Sequence, residues 1–282
     1  MTSDRPIVGV LHPGSMGAAV AACAVSAGAR VLWCPAGRSA ATVRRAEQAG
    51  LEPVAELGEL LQRAEVVLSL CPPAAAEDVA REVAEGGLTG VYVEGNAISP
   101  ARVQRITDLL SRSARAVVDG SVIGSPPVNG KRTQLFLSGP ADATALVAGL
   151  FAGTAVSTPL LGEEIGQASA LKVSYTAYQK ASRVLAALSY GLAQHHGVDQ
   201  ALLEVAGKRS GSYLTETDYI AKTASRAWRW APEMEEAADT LDAAGLPDEV
   251  LRAVAETLGR WTDAKDGELS VEGALSMLQE PR

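Results

Sequence analysis

Ile7-Val-Gly-Val-Leu-His12-Pro-Gly14-Ser-Met-Gly17, running on into Ala-Ala-Val-Ala-Ala-Cys-Ala-Val25, decides how the chain is read. A short apolar run, a glycine-bearing turn and a helix of small residues make a strand–turn–helix at the start of the sequence. Gly14 and Gly17 supply the last two glycines of a G-x-G-x-x-G fingerprint. The first lets a backbone approach a pyrophosphate, and the second lets helix and strand pack closely. The free N–H groups and positive dipole end of the helix suit phosphate. His12 stands at the first glycine position and Pro13 follows it, so the motif is incomplete and an ordinary Gly-rich turn stays open as an alternative. His12, Pro13, Gly14, Ser15, Met16 and Gly17 are the candidate dinucleotide-binding residues.

The end of the second strand selects between cofactors. An NAD site places Asp or Glu there, about 20 residues beyond the glycines, on the ribose 2′-hydroxyl. Here the segment reads Trp33-Cys-Pro-Ala-Gly-Arg38-Ser39, and the next acid is Glu47. Arg38 and Ser39 suit a 2′-phosphate, which an acid would repel. Arg44 and Arg45 follow within two turns. The expected cofactor is NADP(H) rather than NAD. The plainer alternative is that Ser39 caps a helix and the arginines are solvated.

Working outward, strand candidates fall at 7–11, 29–34, 65–70, 90–94 and 114–119, with helical patterns to about 27 and at 40–49, 74–85 and 100–111. Apolar runs separated by helices specify βαβ units and a doubly wound parallel sheet of the α/β Rossmann class. Beyond about residue 160 the pattern changes. Residues 163–195 hold no Pro, and Ile165, Ala168, Leu171, Tyr175, Tyr178, Leu185, Leu188 and Leu192 mark one face of a long helix that Gly197 ends. Short helices punctuated at Gly211, Pro232, Pro247 and Gly267 follow. The expected organisation is an NADP-binding Rossmann domain over residues 1–160 and an all-α domain over 161–282 that includes the long helix.

The 282 residues are 47% hydrophobic and 21% charged with net charge −8, a globular composition that excludes nucleic acid or an anionic membrane as main partner. Aromatics make up only 4%, which favours helices packed through small side chains. Cys23, Cys34 and Cys71 form no CxxC pair, so neither a disulfide framework nor a zinc ribbon nor any other metal site is expected. The start of the chain lacks a signal-peptide pattern and no run of about 18 apolar residues occurs, which points to a cytoplasmic protein.

Four segments, GVLHPGSMG at 9–17, VEGNAISP at 93–100, DGSVIGSPP at 119–127 and GQASALKVSYT at 166–176, resemble the β-hydroxyacid dehydrogenase superfamily. That superfamily includes 6-phosphogluconate dehydrogenase-like enzymes, and imine reductases share its fold. The resemblance implies an NADP-binding domain, a long helix, a helical domain and assembly as a homodimer, with a small-molecule substrate between the domains. It also implies a general acid/base lysine on the long helix, matched here by Lys172. The small residues Gly166, Ala168, Ser169 and Ala170 would let cofactor and sheet approach it, and Thr176 and Gln179 continue its stripe. An ammonium desolvated in a cleft exchanges protons more readily near neutral pH.

Two positions depart from the family pattern. The usual serine of the substrate loop is Ile123, and the usual asparagine four residues after the lysine is Thr176. Ser121 and the backbone of Gly124 and Ser125 remain as candidate substrate contacts, and the changes suit a bulkier or less polar substrate. Asn96 lies where the family contacts cofactor, although a plain turn is the alternative. Cys71 and Pro72 lie on the ligand edge of the sheet, the thiol reading as packing rather than nucleophile. Ala227-Trp-Arg-Trp230 with Met234 reads as a stripe for core or subunit interface, or for a pocket wall. His195 and His196 read as charges at a helix C-terminus rather than metal ligands. The expected activity is hydride transfer between nicotinamide and a carbonyl or hydroxyl carbon. The alternatives are an imine reductase, against which Lys172 counts because that class carries Asp or Tyr there, and a non-catalytic NADP-binding protein.

Overall fold

The computed structural model describes residues 5–208, 211–265 and 267–279. The chain divides into two compact units, Met1–Thr176 and Ala177–Arg282, the division falling inside the long helix.

The first unit is built on one sheet. β1 (Ile7–Val10), β2 (Arg30–Trp33), β3 (Glu52–Pro53), β4 (Val66–Ser69), β5 (Val91–Glu94) and β6 (Ala116–Gly124) run parallel in the order β3-β2-β1-β4-β5-β6. Helices α1 (Ser15–Ser26), α2 (Ala40–Gln48), α3 (Leu57–Arg63), α4 (Ala76–Glu85) and α5 (Pro100–Leu110) connect them. Both sheet faces are covered. Val8, Val10, Val20, Val31 and Leu68 pack on one side, and Leu60, Leu61, Val67, Tyr92 and Ile106 on the other. Double coverage explains why the strands are continuous apolar runs rather than alternating ones. The chain leaves β1 for β2 in one direction and re-enters at β4 in the other, so the crevice beyond the C-terminal ends of β1 and β4 is the topological switch point.

The sequence reading stopped the fifth long strand at residue 119, whereas β6 continues to Gly124 and turns back into β7 (Thr133–Ser138), which pairs antiparallel with it. Val118 and Val122 are buried with Leu135 and Leu137 in one core. The segment 119–124 that matches the family's substrate loop is thus strand, and its glycine at 120 permits close packing, since a Cβ on Gly120 would lie 3.1 Å from Val93 Cγ1. Asn129 (φ 53°) and Gly130 (φ 78°) sit in the connection, an Asn-Gly reversal. α6 (Ala141–Gly149), β8 (Val156–Ser157) and β9 (Leu160–Gly162) complete the sheet, β8 and β9 running parallel to β7.

The long helix, α7 (Gln167–His195), begins four residues later than the periodicity predicts. Gly166 there adopts φ 103°, and a side chain on it would press on Pro100. Its end is as the sequence indicates: Gly197 takes φ 69° and Val198 N–H returns to the Ala193 carbonyl at 2.8 Å.

The second unit packs α8 (Asp199–Ala206), α9 (Tyr219–Ala243), α10 (Glu249–Gly259) and α11 (Val271–Gln279) beside the later turns of α7. Pro232 does not end a helix. α9 runs through it for 25 residues. An interior proline removes one hydrogen bond and crowds the preceding turn. Here Ala227, Trp230 and Ala231 before it and Met234 after it join one core with Val254 and Leu258 of α10, which holds both halves in line. Trp261 is buried and donates Nε1–H to the Ala274 carbonyl at 2.8 Å. Trp228 instead lies exposed, with Lys265 Nζ 4.2 Å from its ring centre.

Candidate functional site

α1 starts at the switch point without a side-chain cap. Its N-cap is Gly14, in extended conformation, whereas α2 and α5 are capped by the hydroxyls of Ser39 and Ser99. The first-turn residues Ser15, Met16 and Gly17 line a cavity of about 350 Å³ together with His12, Gly14, Arg38, Thr42, Leu70, Cys71 and Pro72. A Cβ on Gly14 would meet nothing within 4 Å, so its side toward open space admits a bound group closely. A Cβ on Gly17 would collide with the His12 carbonyl oxygen, so this glycine serves helix packing. Eight of the residues expected at the cofactor are thus gathered around one groove. Pro13 is buried in the loop behind it, and Ser39 Oγ accepts the Thr42 N–H at 3.3 Å as the cap of α2.

His12 replaces the first glycine, and its Nδ1 is buried with no hydrogen-bond partner. Burial and then the nearby Arg38 charge lower its pKa to about 4, so the imidazole is neutral at physiological pH. Arg38 is exposed and is presented by a tight turn in which its N–H meets the Pro35 carbonyl at 3.0 Å, with Gly37 at φ 71°. Positive φ at that position of a type II turn calls for glycine. His12 and Arg38 also wall a second cavity of about 310 Å³ with apolar residues including Leu11, Leu57 and Val79, and with Glu56 and Glu82.

The other wall of the groove is held from inside the sheet. Cys71 N–H donates to Asn96 Oδ1 at 2.6 Å, and Asn96 Nδ2 donates to Ser69 Oγ at 3.2 Å. Asn96 N–H in turn donates to Glu94 Oε1 at 3.0 Å, and Tyr92 O–H to Oε2 at 3.4 Å. Asn96 is nearly fully buried, with both ends of its amide engaged inside the protein. Burial raises the Glu94 carboxyl to about 7, with the Asp119 charge adding to the effect. Burial also pushes the Cys71 thiol and the Tyr92 phenol up.

Lys172 lies on the second turn of α7, and its Nζ donates to the Val122 carbonyl of β6 at 2.5 Å. Asp119, three residues earlier on β6, fastens the start of the same helix. Its carboxylate accepts Gly166 N–H at 3.0 Å, Ser169 N–H at 2.9 Å, Ser169 O–H at 2.7 Å and Ser138 O–H at 3.3 Å. A carboxylate at a helix N-terminus meets free N–H groups and the positive dipole end. Ser121 lies between them on the strand, fully buried, its Oγ without a partner. Gly124, at φ 131°, and Ser125 are exposed where the strand runs out. Thr176 is half-buried one turn beyond Lys172, and Gln179 follows at the next turn of the stripe.

Sequence reasoning missed a buried row. Ser69 is in register with Glu94, Glu94 with Asp119 and Asp119 with Ser138, so four polar residues cross adjacent strands. All four are at most 1% exposed. The signal was present: VVLS, VYVE, AVVD and LFLS each place one polar residue after three apolar ones. Among the described residues no group of three or more His, Cys, Asp and Glu could hold a metal ion, and the three cysteines are free thiols.

The sheet order, the glycine loop at the switch point and the groove above it define a Rossmann-type nucleotide-binding protein. More particularly, the chain belongs to the family described as the NAD binding domain of 6-phosphogluconate dehydrogenase, which matches residues 7–162. A domain of unknown function (DUF1932) matches residues 193–261. The fold is that of a conserved protein of unknown function described as structurally similar to 3-hydroxyacid dehydrogenases. That protein is 23% identical, with 92% of this chain and 98% of that one covered and a TM-score of 0.61. An imine reductase from Streptomyces aurantiacus is 21% identical over 97% of this chain and 100% of its own, with a TM-score of 0.75. A reductive aminase from Aspergillus terreus, solved with NADPH and ethyl levulinate, is 17% identical over 96% and 99%, with a TM-score of 0.73. Among the described residues no helix is long and apolar enough to cross a membrane.

Proposed function

We propose that the protein is an NADP(H)-dependent oxidoreductase of the β-hydroxyacid dehydrogenase type acting on a small carbonyl or hydroxy compound. The observation that carries this reading is the groove at the uncapped α1 N-terminus, whose lining includes the Arg38 guanidinium and no carboxylate. The orphaned His12 Nδ1, the open side of Gly14 and the first-turn amides fit a dinucleotide phosphate chain. Arg38 would meet a 2′-phosphate, and the NADPH in the Aspergillus reductive aminase agrees with that choice.

A nicotinamide cofactor, when bound, supplies or accepts the hydride. The chain supplies the proton. Lys172 Nζ, steadied by the Val122 carbonyl, gives a proton to the substrate oxygen in reduction and takes it in oxidation. Gly124 and Ser125 offer backbone N–H groups to a carboxylate or other anionic end, while Thr176 and Gln179 extend the lysine's stripe. Three free thiols and NADPH use agree with a reducing, cytoplasmic setting. The apolar groove of the helical unit agrees with homodimer assembly.

Titration with NADPH and NADH, followed by turnover of 3-hydroxyacids and of a cyclic imine, tests the reading. Tight NADPH binding with hydroxyacid turnover is the expected result. Turnover of the imine alone would favour a C=N reductase, for which Tyr175 and Tyr178, within two turns after Lys172, are the candidate proton donors. Binding without any turnover would make the protein a non-catalytic dinucleotide binder.

A further inference from the structure

The buried row Ser69–Glu94–Asp119–Ser138 joins the two halves of the site. Its Ser69 and Glu94 end holds Asn96, which holds the Cys71 N–H beside the groove. Its Asp119 and Ser138 end holds the first turn of the lysine helix, Ser138 Oγ accepting Ala168 N–H at 3.1 Å. Resting on the NADP(H) reading above, we propose that Glu94 is a positioning residue of this site: it fixes Asn96 and, through it, the Cys71 wall of the cofactor groove, and it takes up a proton when the anionic cofactor binds.

The geometry dictates the direction. Glu94 is wholly buried, and no cation among the described residues bonds to its carboxyl. The groups facing it are Tyr92 from its own strand, Asn96 and Cys71 from the loops after β5 and β4, and Asp119 from β6. Cys71 and Tyr92 stay protonated through neutral pH because burial raises both. Asp119 is committed to four donors of its own. A dinucleotide beside Cys71 adds negative charge to a poorly solvated neighbourhood, which disfavours an ionised Glu94. With the free carboxyl titrating near 7, the bound complex must hold its proton to higher pH. Affinity is therefore greater below that range and is lost as pH rises through it. His12 titrates near 4 in the unliganded protein, and any rise that the cofactor's charge causes there is common to the wild type and a Glu94 variant, so a comparison of the two cancels it.

The test is calorimetry of NADPH binding between about pH 6 and 8.5, in buffers of different ionisation enthalpy, for the wild type and Glu94→Gln. The glutamine keeps an oxygen for Asn96 N–H but cannot ionise. The wild type should take up a fraction of a proton near pH 7 beyond that seen in Glu94→Gln, and lose up to about tenfold more affinity across the range. The same comparison cancels titration of the cofactor's own phosphate. Identical uptake and slope in the two proteins would overturn the proton role. Amide exchange at Cys71 in the unliganded protein reads the wall itself. Glu94→Ala should lower protection about tenfold and Glu94→Gln should restore it, whereas unchanged protection in the alanine variant would overturn the positioning role. If Glu94→Ala does not fold, Glu94→Asp, whose carboxylate is one methylene short of the Asn96 N–H, must show the same loss at Cys71, and full protection in it would overturn the positioning role. Failure of NADPH to bind the wild type, with Cys71 protection still dependent on Glu94, would remove the cofactor reading and the proton uptake while leaving the positioning role standing.

Discussion

Lys172 and His12 show how much one residue's surroundings decide. A lysine is usually solvated, but Lys172 is directed onto the Val122 carbonyl of β6, the strand that also carries Asp119 and Gly124. Lys172→Ala should lower turnover by about 10²- to 10⁴-fold while leaving the NADPH dissociation constant within about twofold, a split that calorimetry and steady-state kinetics can read together. Comparable activity in the variant would end the acid/base assignment. His12 makes a different prediction, about stability. Its folded pKa of about 4 lies below the ordinary value of 6.5, so between these values the unfolded chain binds a proton that the folded one does not. Stability from this group is therefore complete above about pH 6.5 and is lost as pH falls toward 4. Allowing for its partial exposure the loss is about 1–2 kcal/mol, and His12→Asn should remove it from denaturant curves taken at pH 7 and pH 4.5. Glu94 acts with the opposite sign. Its raised value means that stability falls as pH rises from 4.5 toward 7, so Glu94→Gln should flatten that limb instead.

Elements were legible where local pattern and tertiary environment agree. β1, β2, β4 and β5 read directly because strands covered on both faces must be apolar throughout, and α2 and α4 between them carry amphipathic spacing, whereas α1 is apolar all round and reads from the glycine turn before it, and β3 and α3 carry no pattern that the sequence analysis read. The hairpin of β6 and β7 was not legible. Gly120, Gly124 and Pro126 look like breakers in one dimension, and only the partner strand shows that the glycines admit close packing. The same holds for Asp119, whose donors lie 19 to 50 residues away. Asp119→Asn removes part of that acceptor capacity and places an N–H₂ among donors, so it should cost about 2–4 kcal/mol in equilibrium unfolding. It should also lower kcat more than NADPH affinity, because the lysine's helix loses its anchor. Pro232 is the converse case, a breaker that the packing of α9 on α10 overrides. Because it still lacks an N–H and crowds the turn, Pro232→Ala should stabilise the helical unit by about 1–3 kcal/mol in the same measurement. A loss of stability would mean that the proline ring is itself required by the packing.

At the scale of the molecule, what each unit leaves uncovered matters. The helical unit holds a cavity of about 870 Å³, lined almost wholly by apolar side chains of α7, α8, α9 and α10, among them Leu188, Leu192, Val205 and Leu241. Of its lining residues, Val198 and Val205 are 51% and 68% exposed. A chain with 47% hydrophobic residues and only 4% aromatics fills its interior with small side chains, and alanine-rich helices leave concave surfaces where larger residues would have closed them. On the homodimer reading proposed above, this exposed apolar area is the face that a second copy of the same chain covers. The net charge of −8 gives two copies a mutual repulsion, so the attraction has to come from buried apolar area. Sedimentation should accordingly show a dimer that tightens with added salt, since screening removes the repulsion and leaves the apolar term intact. Val205→Asp places one buried charge per copy in that face and should dissociate the dimer by at least about tenfold without changing the far-ultraviolet dichroism of the helices. A monomeric wild type across micromolar concentrations, or a Val205→Asp protein as dimeric as the wild type, would assign the groove to something other than a second copy.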